Sequence, residues 1–164
     1  MKKKVYIDMD GVLAEYREAV SVEEMLEEGF FAELAPREGM LEAVKYLIAS
    51  GEADVFILSS VLAERREGVT AEKNAWLDRY LPAVRRDHRL FPPCGVSKAS
   101  VVPEISKADI LFDDHSPNLR QWHDAGGSAV KILNEVNGKR GSFTDGPRLR
   151  VRRREELAEA VRAI

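Results

Sequence analysis

The sequence has little cysteine and no long apolar run. Cys94 is the single cysteine among 164 residues, which excludes a disulfide within the chain and is typical of a reducing compartment. No apolar run approaches the roughly 20 residues that a membrane-spanning helix needs. The start MKKKVYIDMDG has basic residues but no apolar region before its acidic residues, so it is not typical of a signal peptide. These absences predict a cytoplasmic globular protein that does not enter a membrane.

The charge balance argues against a polyanionic partner. The formal net charge is −3, which gives no general attraction to nucleic acid or anionic membranes. Arginines cluster in the tail RLRVRRREELAEAVRAI, but they precede an acidic amphipathic helix and are not interleaved with aromatic residues, so a solvated helix face is favoured. A hydrophobic fraction of 45% and a charged fraction of 32% are typical of one globular domain, here residues 1–164.

Apolar runs alternate with helical patterns along the chain. The predicted strands are 5–7, 54–58, 88–91, 109–112 and 129–133, with a weaker candidate at 148–151, and the predicted helices are 40–50, 71–80, 117–125 and 154–164. Continuous apolar strands separated by helices are typical of a parallel sheet that is covered on both faces. The pattern therefore predicts an α/β fold, a Rossmann-like parallel sheet with helices on both faces.

The segment from about residue 15 to 37 interrupts this alternation. It begins with the acidic helical pattern EYREAVSVEEMLEE and ends in GFFAELAP. We interpret it as a small cap insertion that lies over the sheet rather than within it. The later stretch 134–147 is rich in Gly and Asn and is predicted to be a loop.

Polar side chains follow four predicted strands at the point where each strand ends. They are Asp8 and Asp10 after the first strand, Ser59 and Ser60 after the second, Lys98 after the third, and Asp113 and Asp114 after the fourth. An open parallel sheet forms its site beyond the carboxyl ends of its strands. We therefore expect these side chains to meet at one edge of the sheet.

This set of residue types predicts magnesium-dependent phosphoryl transfer. Several carboxylates at one site stay ionised together only when a cation lies among them, and oxygen ligands without His or Cys favour Mg²⁺. One carboxylate can attack phosphorus to give an aspartyl-phosphate, and a second can exchange protons with the leaving oxygen and with water. A lysine and hydroxyl groups can stabilise the charge of the phosphoryl group.

Single residues of this set also have structural interpretations. An Asp-Gly pair is common in turns, so Asp8 and Asp10 alone could simply end a strand. Lys73, in EKNAW, is a rival for the role of the phosphate-binding lysine. Lys98 is preferred because it follows a strand, which leaves Lys73 as a helix-face residue or a more distant neighbour of the phosphate.

The motifs together resemble those of the haloacid dehalogenase superfamily. The matching parts are DMDGV, the strand that ends in Ser59, Lys98, and the DD pair after DILF. The resemblance implies that Asp8 is the nucleophile and Asp10 the general acid/base. In this superfamily, an aspartate two residues after the nucleophile marks phosphatases and phosphotransferases. The implied phosphate contacts are Ser59, with Ser60 as its alternative, and Lys98, and the implied Mg²⁺ ligands are Asp8, the backbone carbonyl of Asp10, Asp114 and Asp113.

A narrower resemblance is to the 5′(3′)-deoxyribonucleotidases, the 5′-nucleotidases of type C. The segments GFFAELAPREGMLEAVKYL, DVFILSS, EKNAWLDRYLP, SKASVV and ADILFDD look like consecutive blocks of that family. The family carries a long helical cap between the first motif and GFF, whereas this chain has only a short segment there. Because the cap supplies much of the nucleoside pocket, base and sugar preference are not carried over. Phe30 and Phe31 lie where aromatic residues of the pocket could stack on a base, although an apolar contact between the insertion and the sheet is the default interpretation of the pair.

The resemblance thus implies a hydrolase that removes phosphate from nucleoside monophosphates with Mg²⁺. Three alternatives remain open. The shortened cap could admit another small or larger phosphate ester, such as a sugar phosphate or a terminal nucleic-acid phosphate. The domain could be a phosphate-binding scaffold without turnover. A second subunit could also complete the cap in a homodimer.

Overall fold

A six-stranded parallel sheet forms the centre of the protein. The computed structural model describes residues 2–16, 21–137 and 143–164. The strands are β1 (Lys3–Ile7), β2 (Ala53–Leu58), β3 (Arg89–Leu90), β4 (Asp109–Asp113), β5 (Ser128–Ile132) and β6 (Arg148–Leu149). Their order in the sheet is β3-β2-β1-β4-β5-β6, and each neighbouring pair is parallel. The predicted α/β fold with a parallel sheet is confirmed.

Helices cover both faces of this sheet. They are α1 (Val22–Met25), α2 (Glu38–Ser50), α3 (Arg66–Tyr80), α4 (Ser116–Asp124) and α5 (Glu156–Ala163). The first turn of α3 is preceded by a 3₁₀ turn at Ala63–Arg65, and a second 3₁₀ turn at Lys98–Val101 packs near α4. Among the described residues, no helix has the length and apolar character needed to cross a membrane.

Alternate residues of each central strand point to opposite faces, as the period of two requires. In β1, Val5 and Ile7 belong to the larger core cluster, which contains buried side chains of α2, α3 and α5. Tyr6, between them, belongs to a second cluster with Leu119 and Trp122 of α4. Both faces are apolar because both are covered, which explains why the strands read as continuous apolar runs.

The direction of the strand order changes at β1. From β1 the chain first adds β2 and β3 on one side and later adds β4, β5 and β6 on the other. A crevice forms beyond the carboxyl ends of the strands at such a switch point. The ends of β1, β2 and β4 therefore face the same opening.

The segment 15–37 has less helix than its sequence pattern predicts. Within its described residues only Val22–Met25 is α-helical; Ser21 begins this helix by accepting a hydrogen bond from Glu24 N (3.2 Å). Gly29 then adopts a positive φ of 87°, which a right-handed helix cannot contain. Residues 17–20, which were also predicted to be helical, and residues 138–142 of the predicted loop lie outside the described residues.

Candidate active site

The turn after β1 carries the first two acidic residues. The backbone N–H groups of Val12, Leu13 and Ala14 all donate to the carbonyl of Met9, at 3.1, 2.8 and 2.9 Å. This tight turn needs Gly11, which has a φ of +78°. A Cβ at Gly11 would overlap a carboxylate oxygen of Asp114. The absence of a side chain thus lets the first and fourth strand ends approach each other.

Lys98 joins the acidic ends of β1 and β4. Its ammonium lies 2.9 Å from Asp8 Oδ1 and donates to Asp113 Oδ2 at 2.6 Å. All three side chains are buried. Burial alone would lower the pKa of Lys98, but the charges of Asp113 and Asp8 outweigh it and raise that pKa above its ordinary value. The lysine is therefore held as a cation between two carboxylates.

Lys73 makes the equivalent contacts to Asp10 and the end of β2. Its ammonium donates to Asp10 Oδ2 at 2.6 Å, to Ser59 Oγ at 2.8 Å and to the carbonyl of Ser60 at 2.9 Å. The side chain has 0% exposure, so Lys73 is not on a solvated helix face. It comes from α3, and it meets the site because α3 packs against the sheet with this residue turned inward.

Asp114 is held by neutral amide groups. Its Oδ2 accepts from Asn134 Nδ2 at 2.7 Å and from Asn137 Nδ2 at 2.5 Å. Asn134 also donates to the carbonyl of Gly11 at 2.7 Å. Burial, followed by the charges of Asp8 and Asp113, raises the pKa of Asp114 to about 7. The hydrogen bonds of the two asparagines lower this pKa only in part.

Asp113 is the most enclosed of these acids. It is 0% exposed and accepts from Asn118 Nδ2 at 3.0 Å and from the backbone N–H of His115 at 2.7 Å, besides its bond to Lys98. Burial raises its pKa, and the Lys98 charge lowers it in part. These contacts fix the orientation of the Asp113 carboxylate.

The donor set fits a hard divalent cation. One carboxylate oxygen from each of Asp8, Asp113 and Asp114 lies within 4.8 Å of the others, and all three residues are buried. Such a cluster is costly without a cation, as the raised pKa of Asp114 indicates. The ligand atoms are oxygens, which favour Mg²⁺ over softer metals.

A small cavity opens beside this cluster. It encloses about 180 Å³ and is lined by polar groups of the site and by apolar side chains: Asp8, Asp10, Tyr16, Met25, Phe31, Ser60, Leu62, Cys94, Lys98 and Asn118. Phe31 is 6% exposed, and its ring centroid lies 5.0 Å from Lys73 Nζ. Phe30 instead lines a separate hollow with Glu27 and Glu33. Of the two predicted aromatic residues, only Phe31 faces this cavity.

The structure brings all the predicted polar residues together. Each of them either belongs to the same network of contacts or lines the same cavity: Asp8, Asp10, Ser59, Ser60, Lys98, Asp113 and Asp114. Sequence reasoning gave no role to Asn118, Asn134, Asn137 or Tyr16. Asn134 carries a usable signal in the sequence, because it follows β5 as Asp113 and Asp114 follow DILF, although the Gly- and Asn-rich stretch that contains it predicts a loop.

Comparison with known protein families gives a match over most of the chain. The family model described as "5′ nucleotidase, deoxy (Pyrimidine), cytosolic type C protein" matches residues 17–140, which is most of the chain. β1 and its two aspartates precede the matched residues. None of the curated protein sequences matches the chain.

Solved structures share the fold over nearly their whole length. The D,D-heptose 1,7-bisphosphate phosphatase from B. bronchiseptica, complexed with magnesium and phosphate, has a TM-score of 0.67 at 16% identity, with 96% of this chain and 98% of that chain covered. A HAD family hydrolase from Deinococcus radiodurans with bound phosphate and sodium has a TM-score of 0.65 at 14% identity, with coverages of 97% and 96%. The corresponding heptose bisphosphate phosphatase from Burkholderia thailandensis has a TM-score of 0.62 at 19% identity, with coverages of 96% and 97%.

These likenesses establish the fold, and the family match establishes the class of enzyme. The chain belongs to the cytosolic type C 5′-nucleotidase family of the haloacid dehalogenase superfamily and is a phosphatase, a hydrolase of phosphate monoesters.

Proposed function

We propose that this protein is a Mg²⁺-dependent phosphatase of nucleoside monophosphates that works through an aspartyl-phosphate. The observation that carries the proposal is the position of Asp8. Its carboxylate lines the cavity, contacts Lys98 at 2.9 Å and lies with Asp113 and Asp114 in a cluster that suits a divalent cation. A nucleophilic carboxylate needs this kind of charge compensation when a phosphate approaches it.

The reaction then follows from two aspartates in one turn. An oxygen of Asp8 attacks phosphorus, the Asp8–phosphorus bond forms, and the bond between phosphorus and the ester oxygen breaks. Asp10 gives a proton to the departing oxygen and later takes one from the water that attacks the aspartyl-phosphate. Phosphate leaves, and Asp8 and Asp10 return to their starting states.

The two lysines and the end of β2 would bind the phosphoryl oxygens. Lys98 lines the cavity and Lys73 is buried behind Asp10 and Ser60, and each already contacts one of the two aspartates. The Ser59 hydroxyl, which accepts from Lys73, and Ser60, which lines the cavity, are further polar groups at the end of β2. Asp8, Asp113 and Asp114, with the backbone carbonyl of Asp10, would hold Mg²⁺, which would neutralise charge on the phosphoryl oxygens.

The family supports a nucleotide substrate, because the matching family model is that of a deoxynucleotidase. Segment 15–37 would act as a reduced cap, since Met25 and Phe31 from it line the cavity. Phe31 would then pack against the sugar or base. The same reduced cap leaves room for a second candidate, a sugar phosphate, which is the kind of ester for which the B. bronchiseptica phosphatase is named.

A panel of phosphate esters tests the proposal directly. It would contain 5′- and 3′-nucleoside monophosphates with ribose or deoxyribose, several sugar phosphates, a 5′-phosphorylated oligonucleotide and p-nitrophenyl phosphate. Each would be assayed with Mg²⁺ and with EDTA. Nucleoside monophosphates should have the highest kcat/KM, and EDTA should abolish turnover. A preference for sugar phosphates would replace the substrate assignment, and binding without turnover would favour a scaffold.

Removal of the nucleophile should abolish turnover without unfolding the protein. Asp8→Asn keeps the shape of the side chain but cannot form the aspartyl-phosphate, so we expect kcat to fall by about 10³-fold or more. The measurements are steady-state kinetics on the best ester and circular dichroism. Asp78→Asn, an acid-to-amide change at an exposed site, is the matched control and should keep wild-type activity. Wild-type turnover by Asp8→Asn would rule out this mechanism.

A further inference from the structure

Helix α3 holds the reduced cap in place through one carboxylate. Glu72 Oε1 accepts a hydrogen bond from the backbone N–H of Gly29, and Glu72 Oε2 accepts one from the backbone N–H of Phe31, both at 3.0 Å. The Glu72 side chain is 12% exposed. A carboxylate that accepts two backbone N–H groups forms charge-assisted bonds, which are stronger than neutral ones.

Arg65 completes the same contact from the other side. Its Nη2 donates to Glu72 Oε1 at 2.6 Å and its Nη1 to the carbonyl of Glu27 at 2.7 Å. The turn 27–31 is thus held at its start by Arg65 and at its end by Glu72. One helical turn further along α3, Trp76 Nε1 donates to the carbonyl of Leu34 at 2.8 Å. Glu72 and Trp76 are four residues apart, so they present one face of the helix to the cap.

The next residue on the helix, Lys73, points into the active site. Its ammonium contacts Asp10 and Ser59, and the Phe31 ring lies over it at 5.0 Å. Phe31 is at once a wall of the cavity and the residue whose N–H is bound by Glu72. The position of this wall relative to the phosphate-binding groups is therefore fixed by a residue that does not line the cavity.

We propose that Glu72 is a positioning residue that sets substrate affinity by holding Phe31 of the cap against the active-site cavity. This inference rests on the proposed function, because it assigns Phe31 to the wall that the organic part of the substrate contacts. Glu72 itself touches neither the phosphoryl group nor the reacting aspartates. Its loss should therefore weaken binding of the part of the substrate beyond the phosphate and leave the chemical step intact.

The first test is a separation of KM from kcat. With p-nitrophenyl phosphate, Glu72→Ala should raise KM about tenfold, which corresponds to about 1.4 kcal/mol of binding free energy, and keep kcat within about twofold. The inhibition constant of inorganic phosphate, which fills only the phosphoryl site, should not change. Asp78→Asn, which alters another acid of α3 that pairs with arginines, should change none of these values. An equal effect of Asp78→Asn, or a parallel change in phosphate inhibition, would overturn the proposal.

The second test asks whether Glu72 acts through Phe31. Phe31→Ala alone should raise KM, and the double variant Phe31→Ala/Glu72→Ala should have the KM of Phe31→Ala, since the wall that Glu72 positions is already gone. Additive effects of the two substitutions on KM would contradict the proposal.

A third measurement does not depend on catalysis. Hydrogen exchange at the amides of Gly29 and Phe31 should be faster in Glu72→Ala than in the wild type, because both amides lose their acceptor. If the wild type hydrolysed no ester, the proposed function would fail, yet this measurement would still report on the contact. Unchanged exchange at both amides would refute the positioning role by itself.

Discussion

Two buried lysines each contact one of the two aspartates that follow β1. Lys98 contacts Asp8, and Lys73 contacts Asp10, although Asp8 and Asp10 are only two residues apart. In the sequence the two lysines are rivals for one role, because only Lys98 follows a predicted strand. The structure places both at the site with different partners. A lysine that arrives on a helix gives no local signal, since its inward direction depends on how the helix packs.

Gly11 is needed for two reasons: the turn after β1 requires its positive φ, and the Asp114 carboxylate occupies the space of a side chain there. Gly11→Ala should lower kcat/KM at least tenfold, because the added Cβ would overlap the Asp114 carboxylate and lie 3.0 Å from Asn134 Nδ2. It should also cost about 1–2 kcal/mol of unfolding free energy, since alanine is strained at a φ of +78°. The measurements are steady-state kinetics and urea unfolding.

Gly51 offers a matched control for that substitution. It ends α2 with a φ of +67°, and a Cβ there would have no atom within 4 Å. Gly51→Ala should therefore have a similar cost in stability and keep full activity. If both variants lost the same activity, backbone strain rather than contact with Asp114 would be the cause.

At the scale of elements, alternate residues of β1 pack into the two apolar clusters on opposite faces of the sheet. Val5 and Ile7 pack towards α2, α3 and α5, whereas Tyr6 packs towards α4, with its ring 5.0 Å from Phe56 and 4.9 Å from Trp122. Asp109, at the start of β4, is the charged group that acts on the Tyr6 hydroxyl. Burial, followed by the charge of Asp109 and a hydrogen bond to it, raises the pKa of Tyr6 to about 12.

This shift predicts an alkaline loss of stability. The pKa of Tyr6 is higher in the folded protein than the ordinary value of 10.0, so the folded state holds the proton more tightly. The resulting stabilisation is complete below pH 10 and is lost as the pH rises from 10 towards 12. The stability of the wild type relative to Tyr6→Phe should therefore decrease between pH 8 and pH 11, measured by urea unfolding at each pH. A constant difference over this range would contradict the raised pKa.

The central strands and the four long helices were predicted correctly, whereas the edge strand β3 and the segment before α2 were not. Strands 5–7, 54–58 and 109–112 were found within a residue or two, because central parallel strands are apolar throughout. β3 is shorter than predicted and comprises only Arg89–Leu90, at the edge of the sheet. The acidic pattern 15–28 predicts a largely helical segment, but the turn at its end is bound by Glu72 and Arg65, which are distant in the sequence.

At the scale of the whole molecule, the site joins elements from most of the chain. Residues that follow β1, β2 and β4 are joined by Asn134 after β5 and by Lys73 from α3. A cation bound to Asp8, Asp113 and Asp114 would therefore connect the strands as well as serve catalysis. Binding of this cation should therefore raise the free energy of unfolding of the whole domain.

Mg²⁺ should raise the melting temperature of the protein. A ligand at 100 times its Kd adds about 2.7 kcal/mol to the unfolding free energy, which corresponds to roughly 5–10 °C for a domain of this size. The measurement is thermal unfolding with EDTA and with increasing Mg²⁺. Asp114→Asn should remove most of the shift, because it replaces a proposed ligand, whereas Asp78→Asn should retain it. A wild-type melting temperature that does not respond to Mg²⁺ would count against the metal site.

The sequence by itself determined the parallel α/β sheet and the acidic, hydroxyl and lysine groups at its strand ends. These are local properties, because an apolar strand and the residue that follows it are adjacent in the chain, and the geometry of a parallel sheet brings such residues together. Only the tertiary structure decided that Lys73 enters the site, that Asn137 joins Asn134 in holding Asp114, and that Phe31 rather than Phe30 faces the cavity. Each of these depends on the packing of a helix or loop against residues far away in sequence, and no local pattern records the direction in which such an element turns its side chains.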